Sequence, residues 1–279
     1  MVLFPNCKIN IGLNIVSKRA DAYHNIETVF YPLNWHDAVE LTPQPAGTFF
    51  ASPAAPVQFS CSGLPVPGNV SDNICLKAYH LLKKDFSRIP PVSMHLHKTI
   101  PTGAGLGGGS ANGAFTLMLI NKKFNLNLSI EQLGEYALQL GSDCPFFIIN
   151  QPCYATKRGE KMEMITLSLS PYSFLIVHPA IHIDTAWAFS KLKPAQHAKP
   201  VKSIVQQPVE TWQDELVNDF EAPVFREYPQ IEKVKKRLCA HGALYASLTG
   251  SGSAVYGIFS KNKVPELKWD ENYTQKIIQ

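Results

Sequence analysis

Charge is scarce in this chain. Of 279 residues only 17% are Asp, Glu, Lys or Arg, against about 25% in ordinary soluble proteins. Disorder requires the opposite balance, and with 45% hydrophobic and 10% aromatic residues a sizeable core can be buried. The 26 cationic and 22 anionic side chains leave +4, too little for the basic stripe of a nucleic-acid binder. Paired cysteines are missing too. Cys7, Cys61, Cys75, Cys144, Cys153 and Cys239 form no C-x-x-C pair and stand among apolar residues, which reads as reduced thiols and not as a zinc site. No run approaches the ~20 apolar residues of a membrane span. Lys8, Asn10 and Asn14 interrupt the apolar start, so no signal peptide is expected. The expectation is a cytoplasmic protein without nucleic-acid or membrane partners, acting as a monomer or weak homodimer. How so few charges would handle a charged ligand is the open question.

What is present is a mixture of strand and helix patterns. Cys7, Ile9, Ile11, Leu13 and Ile15 alternate with Lys8, Asn10, Gly12 and Asn14, the period of a strand with two unlike faces. Its polar face is either a solvent face or a site. The proline-rich stretch from Thr42 to Gly68 reads as short strands and loops. Ser71-Asp72-Asn73 caps a helix over Ile74 to Leu82. Val92 to Leu96 alternates as a strand, apolar residues recur at helical spacing from Ala111, and Ser129 with Gln132 forms a capping box opening a helix to Leu140. Phe174 to Val177 reads as a strand. Lys191 to Pro208 reads as an exposed connection, and Ile231 to Leu238 as a basic helix. Leu244 to Thr249 and Ala254 to Phe259 flank a Gly/Ser turn. Without strict strand–helix alternation the class is α+β, with a domain boundary expected near 150–160 that divides the chain into 1–155 and 156–279.

The sharpest local feature is Pro101-Thr102-Gly103-Ala104-Gly105-Leu106-Gly107-Gly108-Gly109-Ser110. Glycines admit positive φ and let a ligand approach the backbone closely. A helix beginning directly afterwards offers unpaired N–H groups and the positive end of its dipole. That is a phosphate cradle which needs no Lys or Arg. Gly103-x-Gly105-x-x-Gly108 formally matches the dinucleotide fingerprint. However, a dinucleotide site needs an acid about 20 residues on at a strand end, and Glu131 lies in a helical pattern. The ending Gly109-Ser110-Ala111 is not the Gly-Lys-Ser/Thr of a Walker loop, and the H-R-D and D-F-G segments of protein kinases are absent.

With its flanks this loop resembles the second motif of the GHMP kinases, small-molecule kinases of galactose, homoserine, mevalonate and phosphomevalonate. Pro5-Asn6-Cys7-Lys8-Ile9-Asn10-Ile11 resembles their first motif, and Leu248-Thr249-Gly250-Ser251-Gly252-Ser253-Ala254-Val255 their third. Lys18 to Thr28, Gly141-Ser142-Asp143-Cys144-Pro145-Phe146-Phe147 and Val217-Asn218-Asp219-Phe220-Glu221 are similar to segments of members acting on a cytidine diphosphate-linked polyol. Ala22 stands where those members have Gly, and Ala111 where they have a second Ser. The resemblance implies a two-domain fold: an N-terminal domain like the second domain of ribosomal protein S5 and a ferredoxin-like C-terminal domain, with the site in the cleft between them. It implies ATP-dependent phosphorylation of the 2-hydroxyl of 4-diphosphocytidyl-2-C-methyl-D-erythritol, a step of the non-mevalonate route to isoprenoid precursors, with ATP and Mg2+ as cofactors. A family member acting on homoserine or a mevalonate derivative, and a dinucleotide-dependent oxidoreductase, stay open as alternatives.

By the same resemblance Asp143 is the catalytic base and Lys8 its partner. A carboxylate is a weak base at neutral pH, which phosphoryl transfer tolerates because positioning and charge stabilisation carry most of the catalysis. A lone Asp before Pro is otherwise most often a turn or capping residue. Asn10 would bond substrate or phosphate. Tyr23 and His24 resemble the cytosine reader, with Phe189, or Trp187 in its place, over the other face and Thr185 near the ribose. Pro101, Gly103, Gly105, Leu106, Gly107, Gly108, Gly109, Ser110 and Ala111 would bind ATP, and Lys98, Asn69 and Asp72 resemble positions beside the adenine. No dedicated metal cage is visible, so Mg2+ is expected as the ATP complex.

Overall fold

The computed structural model describes residues 1–21, 23–44, 56–195 and 197–279. Ala22, Pro45, Pro53 and Gln196 lie outside the described residues. The strands are β1 (Val2–Leu3), β2 (Asn6–Lys18), β3 (His24–His36), β4 (Ala38–Pro43), β5 (Val57–Gly63), β6 (Val92–Lys98), β7 (Cys153–Lys157), β8 (Lys161–Met164), β9 (Tyr172–His178), β10 (Tyr245–Leu248), β11 (Val255–Ser260) and β12 (Thr274–Ile278). The helices are α1 (Ile74–Asp85), α2 (Gly108–Lys123), α3 (Ile130–Leu140), α4 (Cys144–Ile149), α5 (Thr185–Ser190), α6 (Val201–Ile204), α7 (Trp212–Glu215), α8 (Glu221–Glu227) and α9 (Pro229–Ala240). The class is α+β, as its patterns predict.

Two compact units form, and they interleave in sequence. The first gathers Met1–Cys7, Trp35–Thr102 and Gly108–Asn150; the second gathers Lys8–Asn34, Gly103–Gly107 and Gln151–Gln279. The consecutive spans 1–155 and 156–279 therefore do not coincide with these clusters. One physical reason is strand pairing: β3 pairs antiparallel with β7, Ile26 opposite Lys157 through Phe30 opposite Cys153, which draws an early segment to a later one.

The first unit carries the sheet β1-β4-β6-β5 with α1 to α4. The cap of α1 is Asn73, whose side chain accepts from the Cys75 N–H, while Val70–Asp72 forms a 3-10 turn ahead of it. Ser129 and Gln132 make the reciprocal capping box of α3. In the second unit the sheet β10-β11-β9-β12 packs beneath α9. Leu175, Val177, Val255, Ile231, Val234 and Leu238 share its apolar core. Inside the stretch expected as an exposed connection, α6 instead buries Val201 and Ile204, and Val205 follows them into the interior. Three apolar residues within five positions outweigh the surrounding prolines and lysines.

β2 is the edge strand of the sheet β2-β3-β7-β8, and its outer edge is covered residue by residue. The Lys8 N–H donates to the Leu106 carbonyl at 2.9 Å. The Asn10 N–H donates to Thr249 Oγ1 at 3.0 Å and its carbonyl accepts from the Tyr256 hydroxyl at 2.8 Å. Leu13 bonds Val217 and Asp219 through its N–H and carbonyl, and the Ile15 N–H reaches Asp219 Oδ2 at 2.6 Å. The edge-directed residues are thus even-numbered before Gly12 and odd-numbered after it. Gly12 has φ +64°, so one extra residue resets the phase, as in a β-bulge. The polar residues of β2 do not form a solvent face either: Lys8, Asn10 and Asn14 are each buried to 3% exposure or less.

Candidate active site

Lys8 and Asn10 lie two apart on β2, so their side chains leave the strand on one face. The Lys8 ammonium donates to Asn10 Oδ1 at 2.5 Å and to the Gly105 carbonyl at 3.1 Å, and stands 5.2 Å from the centre of the Phe30 ring. The Asn10 amide donates to Thr28 Oγ1 at 3.1 Å, and Thr28 donates to the Gly12 carbonyl. An ammonium 3% exposed is costly to desolvate and is held here by strong oxygen acceptors. The first motif and the glycine loop therefore meet at Lys8.

The third motif meets the same loop. Thr249 Oγ1, which accepts from the Asn10 N–H, lies 3.2 Å from the Gly105 carbonyl, and the Ala254 N–H donates to the Ala104 carbonyl at 3.0 Å. The backbones approach so closely that a Cβ on Gly105 would lie 1.9 Å from the Thr249 carbonyl oxygen, and one on Gly252 would lie 2.1 Å from the Gly105 nitrogen. Gly103, Gly105 and Gly107 all have positive φ. The chain changes hand at alternate residues, as in backbone anion nests. Ala104 and Leu106 are buried and anchor the loop.

The substrate-reading candidates also fall in the second unit. His24 is buried and its ring lies 5.2 Å from that of Phe189, at 24° between planes. Burial, with Lys18 nearby, lowers the His24 pKa, so the imidazole is neutral at pH 7, with one nitrogen donating and one accepting. Tyr23 is exposed at 55%, with the Arg158 guanidinium 5.0 Å from its ring centre. Trp187 and Phe189 both pack against the apolar core; Trp187 is edge-on to Tyr228 at 5.7 Å, and Phe189 also stacks on His24. Thr185 opens α5 behind its cap Asp184 and is exposed.

The first unit holds the other candidates. Pro101 is buried; Gly108, Gly109, Ser110 and Ala111 form the first turn of α2, with Gly109 exposed and Ala111 fully buried. An open cleft is walled by Phe59, Val66 and Leu96 and edged by Asn69, Asp72 and Lys98. Lys98 is 3% exposed and ion-paired to Asp37, and it donates to Asn112 Oδ1 at 3.0 Å. Asp37 also accepts from the Thr99 and Ile100 N–H groups at 2.7 and 2.9 Å and from Asn112 at 2.9 Å. Asp37 and Asn112 escape a sequence reading because a lone Asp after a strand and an Asn inside a helix carry no distinguishing pattern. Thr249 was in plain view within the third motif, but its bond to Asn10 spans 239 positions. Asp143, half-buried, takes the N-cap position of α4 with φ −85° and ψ −13°, and its side chain makes no capping hydrogen bond. Among the described residues no group of three or more His, Cys, Asp or Glu could hold a metal ion.

The family model of the GHMP kinases N terminal domain matches residues 73–151, and that of the GHMP kinases C terminal matches residues 201–268. The chain is 45% identical over 271 residues to the 4-diphosphocytidyl-2-C-methyl-D-erythritol kinase of Bacteroides fragilis, covering 97% of this chain and 96% of that relative. Among solved structures it is similar to a 4-(cytidine 5'-diphospho)-2C-methyl-D-erythritol kinase, with a TM-score of 0.77 at 27% identity over 92% of this chain and 90% of the other. A homoserine kinase of Cytophaga hutchinsonii shares the fold at a TM-score of 0.68 and 14% identity, over 98% of this chain and 93% of its own. With both family models matched and near-complete coverage at this identity, the chain belongs to the GHMP kinases, in the branch of the 4-diphosphocytidyl-2-C-methyl-D-erythritol kinases.

Proposed function

We propose that this protein transfers the γ-phosphoryl group of ATP to the 2-hydroxyl of 4-diphosphocytidyl-2-C-methyl-D-erythritol, giving the 2-phosphate and ADP on the non-mevalonate route to isoprenoid precursors, in the cytoplasm. The observation that carries the reading is the buried Lys8 ammonium bonded to Asn10 Oδ1 and the Gly105 carbonyl, in a chain 45% identical to a relative of that name. The division into modules 1–155 and 156–279 belongs to this reading, supported by family models that match 73–151 and 201–268.

In this reading Asp143 orients the acceptor hydroxyl and takes its proton late in the transfer, while Lys8 neutralises charge on the moving group. Asn10 bonds the acceptor or the phosphoryl oxygens. The amides of Gly103, Gly105, Leu106 and Gly107 and those of Gly108, Gly109, Ser110 and Ala111 bind the ATP phosphates, with Pro101 fixing the approach to the loop. Asn69 and Asp72 meet the nucleoside in the cleft of the first unit. Lys98, bound to Asp37 and Asn112, supports its wall. His24 presents its neutral ring nitrogens to the cytosine edge, Tyr23 and Phe189 offer ring faces, and Thr185 lies near the ribose. Mg2+ would arrive as the nucleotide complex and, when bound, would neutralise phosphate charge.

The decisive experiment is ADP release with the cytidylated erythritol, ATP and Mg2+, run beside homoserine and mevalonate. Turnover confined to the cytidylated substrate is expected. Turnover of homoserine or mevalonate instead would overturn the substrate assignment. Asp143→Asn is expected to lower kcat at least about 100-fold with ATP and substrate binding retained, and normal turnover in that variant would remove Asp143 from the role of base.

A further inference from the structure

Asn10 is gripped on both sides of its backbone by side chains of one hairpin. Its N–H donates to Thr249 Oγ1 and its carbonyl accepts from the Tyr256 hydroxyl at 2.8 Å. Thr249 directly follows β10 and Tyr256 lies on β11, opposite Ser247. At Leu13, further along this edge, backbone groups of Val217 and Asp219 do the same work. Asn10 alone among these has a phenol on its carbonyl.

We propose that Tyr256 is a positioning residue for phosphoryl transfer: its hydroxyl fixes the Asn10 peptide, and through it the Asn10 amide that holds the Lys8 ammonium against Gly105. The inference rests on the roles given above to Lys8 and Asn10. Tyr256 is fully buried. Its ring is edge-on to Tyr245 at 5.9 Å, and Tyr245 is in turn edge-on to Trp212 at 5.9 Å, so the phenol has little freedom to turn away. Burial raises its pKa well above the ordinary tyrosine value, and the hydroxyl remains a donor throughout the working pH range. Without that donor the Asn10 carbonyl loses its partner on a buried edge. Asn10 Oδ1 then moves relative to a Lys8 nitrogen only 2.5 Å away. Displacements of about 1 Å in a positioned group can cost about 100-fold in rate; a relaxation of a few tenths of that is expected to cost about tenfold.

The test is a cycle of steady-state rates in the full-length protein: Tyr256→Phe, Asn10→Ala and the double variant, with p-fluorophenylalanine incorporated at position 256 as a second probe. The fluorine restores the volume of the lost oxygen without restoring a donor. Expected are a kcat about tenfold lower in Tyr256→Phe with the KM for ATP within about twofold, the same loss with p-fluorophenylalanine, and less than a twofold further loss when Tyr256→Phe is added to Asn10→Ala. Wild-type kcat in Tyr256→Phe would overturn the proposal. So would recovery of kcat by p-fluorophenylalanine, which would make the role one of packing, or a full tenfold loss persisting in the Asn10→Ala background. Wild-type kcat in Asn10→Ala would instead remove Asn10 from the reaction and take away the premise, an outcome visible without any change at position 256.

Discussion

Lys8 and Lys98 are both buried to 3% exposure, and each ammonium is fixed by oxygen acceptors. Lys98 faces the Asp37 carboxylate, itself fully buried, and Asn112 closes the triangle. Removing one member of such a pair strands the other charge, at a cost of about 3–5 kcal/mol. Asp37→Ala is therefore expected to lower the unfolding free energy by about that amount in denaturant titration, and Asp37→Leu combined with Lys98→Met to recover much of it. The Lys8 ammonium donates to Asn10 Oδ1 and the Gly105 carbonyl, and Lys8→Met is expected to abolish turnover, measured as ADP release. His24 gives a pH prediction. Its folded pKa lies below the ordinary 6.5, so the unfolded chain binds the proton more readily. The His24 contribution to stability is present above pH 6.5 and falls away as the pH drops below it. The KM for the cytidylated substrate is expected to stay flat from pH 8 to 6.5 and to rise only in more acid solution, measured at saturating ATP.

At the scale of elements the glycine loop separates two kinds of glycine. Gly105 has φ +84° and a Cβ there would strike the Thr249 carbonyl at 1.9 Å, whereas a Cβ on Gly109 would meet nothing within 4 Å and sits in the first turn of α2. Gly105→Ala is expected to destabilise the protein by more than about 1–3 kcal/mol and to abolish activity. Gly109→Ala is expected to leave the melting temperature unchanged or raise it while weakening ATP binding, because the methyl occupies the space a phosphate would approach. Calorimetry of folding and of ATP binding on both variants checks this contrast. Much at this scale was legible in the sequence: the capping box at Ser129, the strand pattern after Cys7, the helix of residues 231–238, and the loop itself. What was not legible depends on distance or conformation. Alternation around Gly12 reads as one unbroken phase because a positive φ leaves no mark in hydropathy. Asp37 finds Lys98 across 61 positions, and the segment of α6 hides three buried residues, Val201, Ile204 and Val205, among prolines and lysines. Of the candidate site, the residue types were readable, but the bonds that fix Asn10 were not, since Thr249 and Tyr256 reach it from 239 and 246 positions away.

For the whole molecule the interleaving of the two units matters more than their sizes. A cut after residue 155 would sever β7 within the strand, at the pairing of Ala155 with Thr28. It would also strip β2 of the groups at 217, 219, 249 and 256 that cover its edge. The fragment 1–155 is expected to show no cooperative unfolding transition on its own, monitored by circular dichroism. The low charge of the chain also reads differently at this scale. Both proposed ligands are polyanions, and the groups assigned to them in the proposed reading are chiefly backbone amides and the buried Lys8 ammonium. Turnover is therefore expected to depend only weakly on monovalent salt, and to stop when divalent ions are chelated.

The covered edge of β2 has a consequence in time. During synthesis Lys8 and Asn10 leave the ribosome early, but the hydroxyls that close their strand belong to residues 249 and 256. At about 5–20 residues per second that interval is on the order of tens of seconds. For all of it a strand rich in isoleucine shows an unpaired edge, the feature most prone to recruit a neighbouring nascent chain. The segment to which the chemistry is assigned is thus among the first made and among the last secured, and loss of whatever shields that edge in the meantime is expected to lower the yield of active protein.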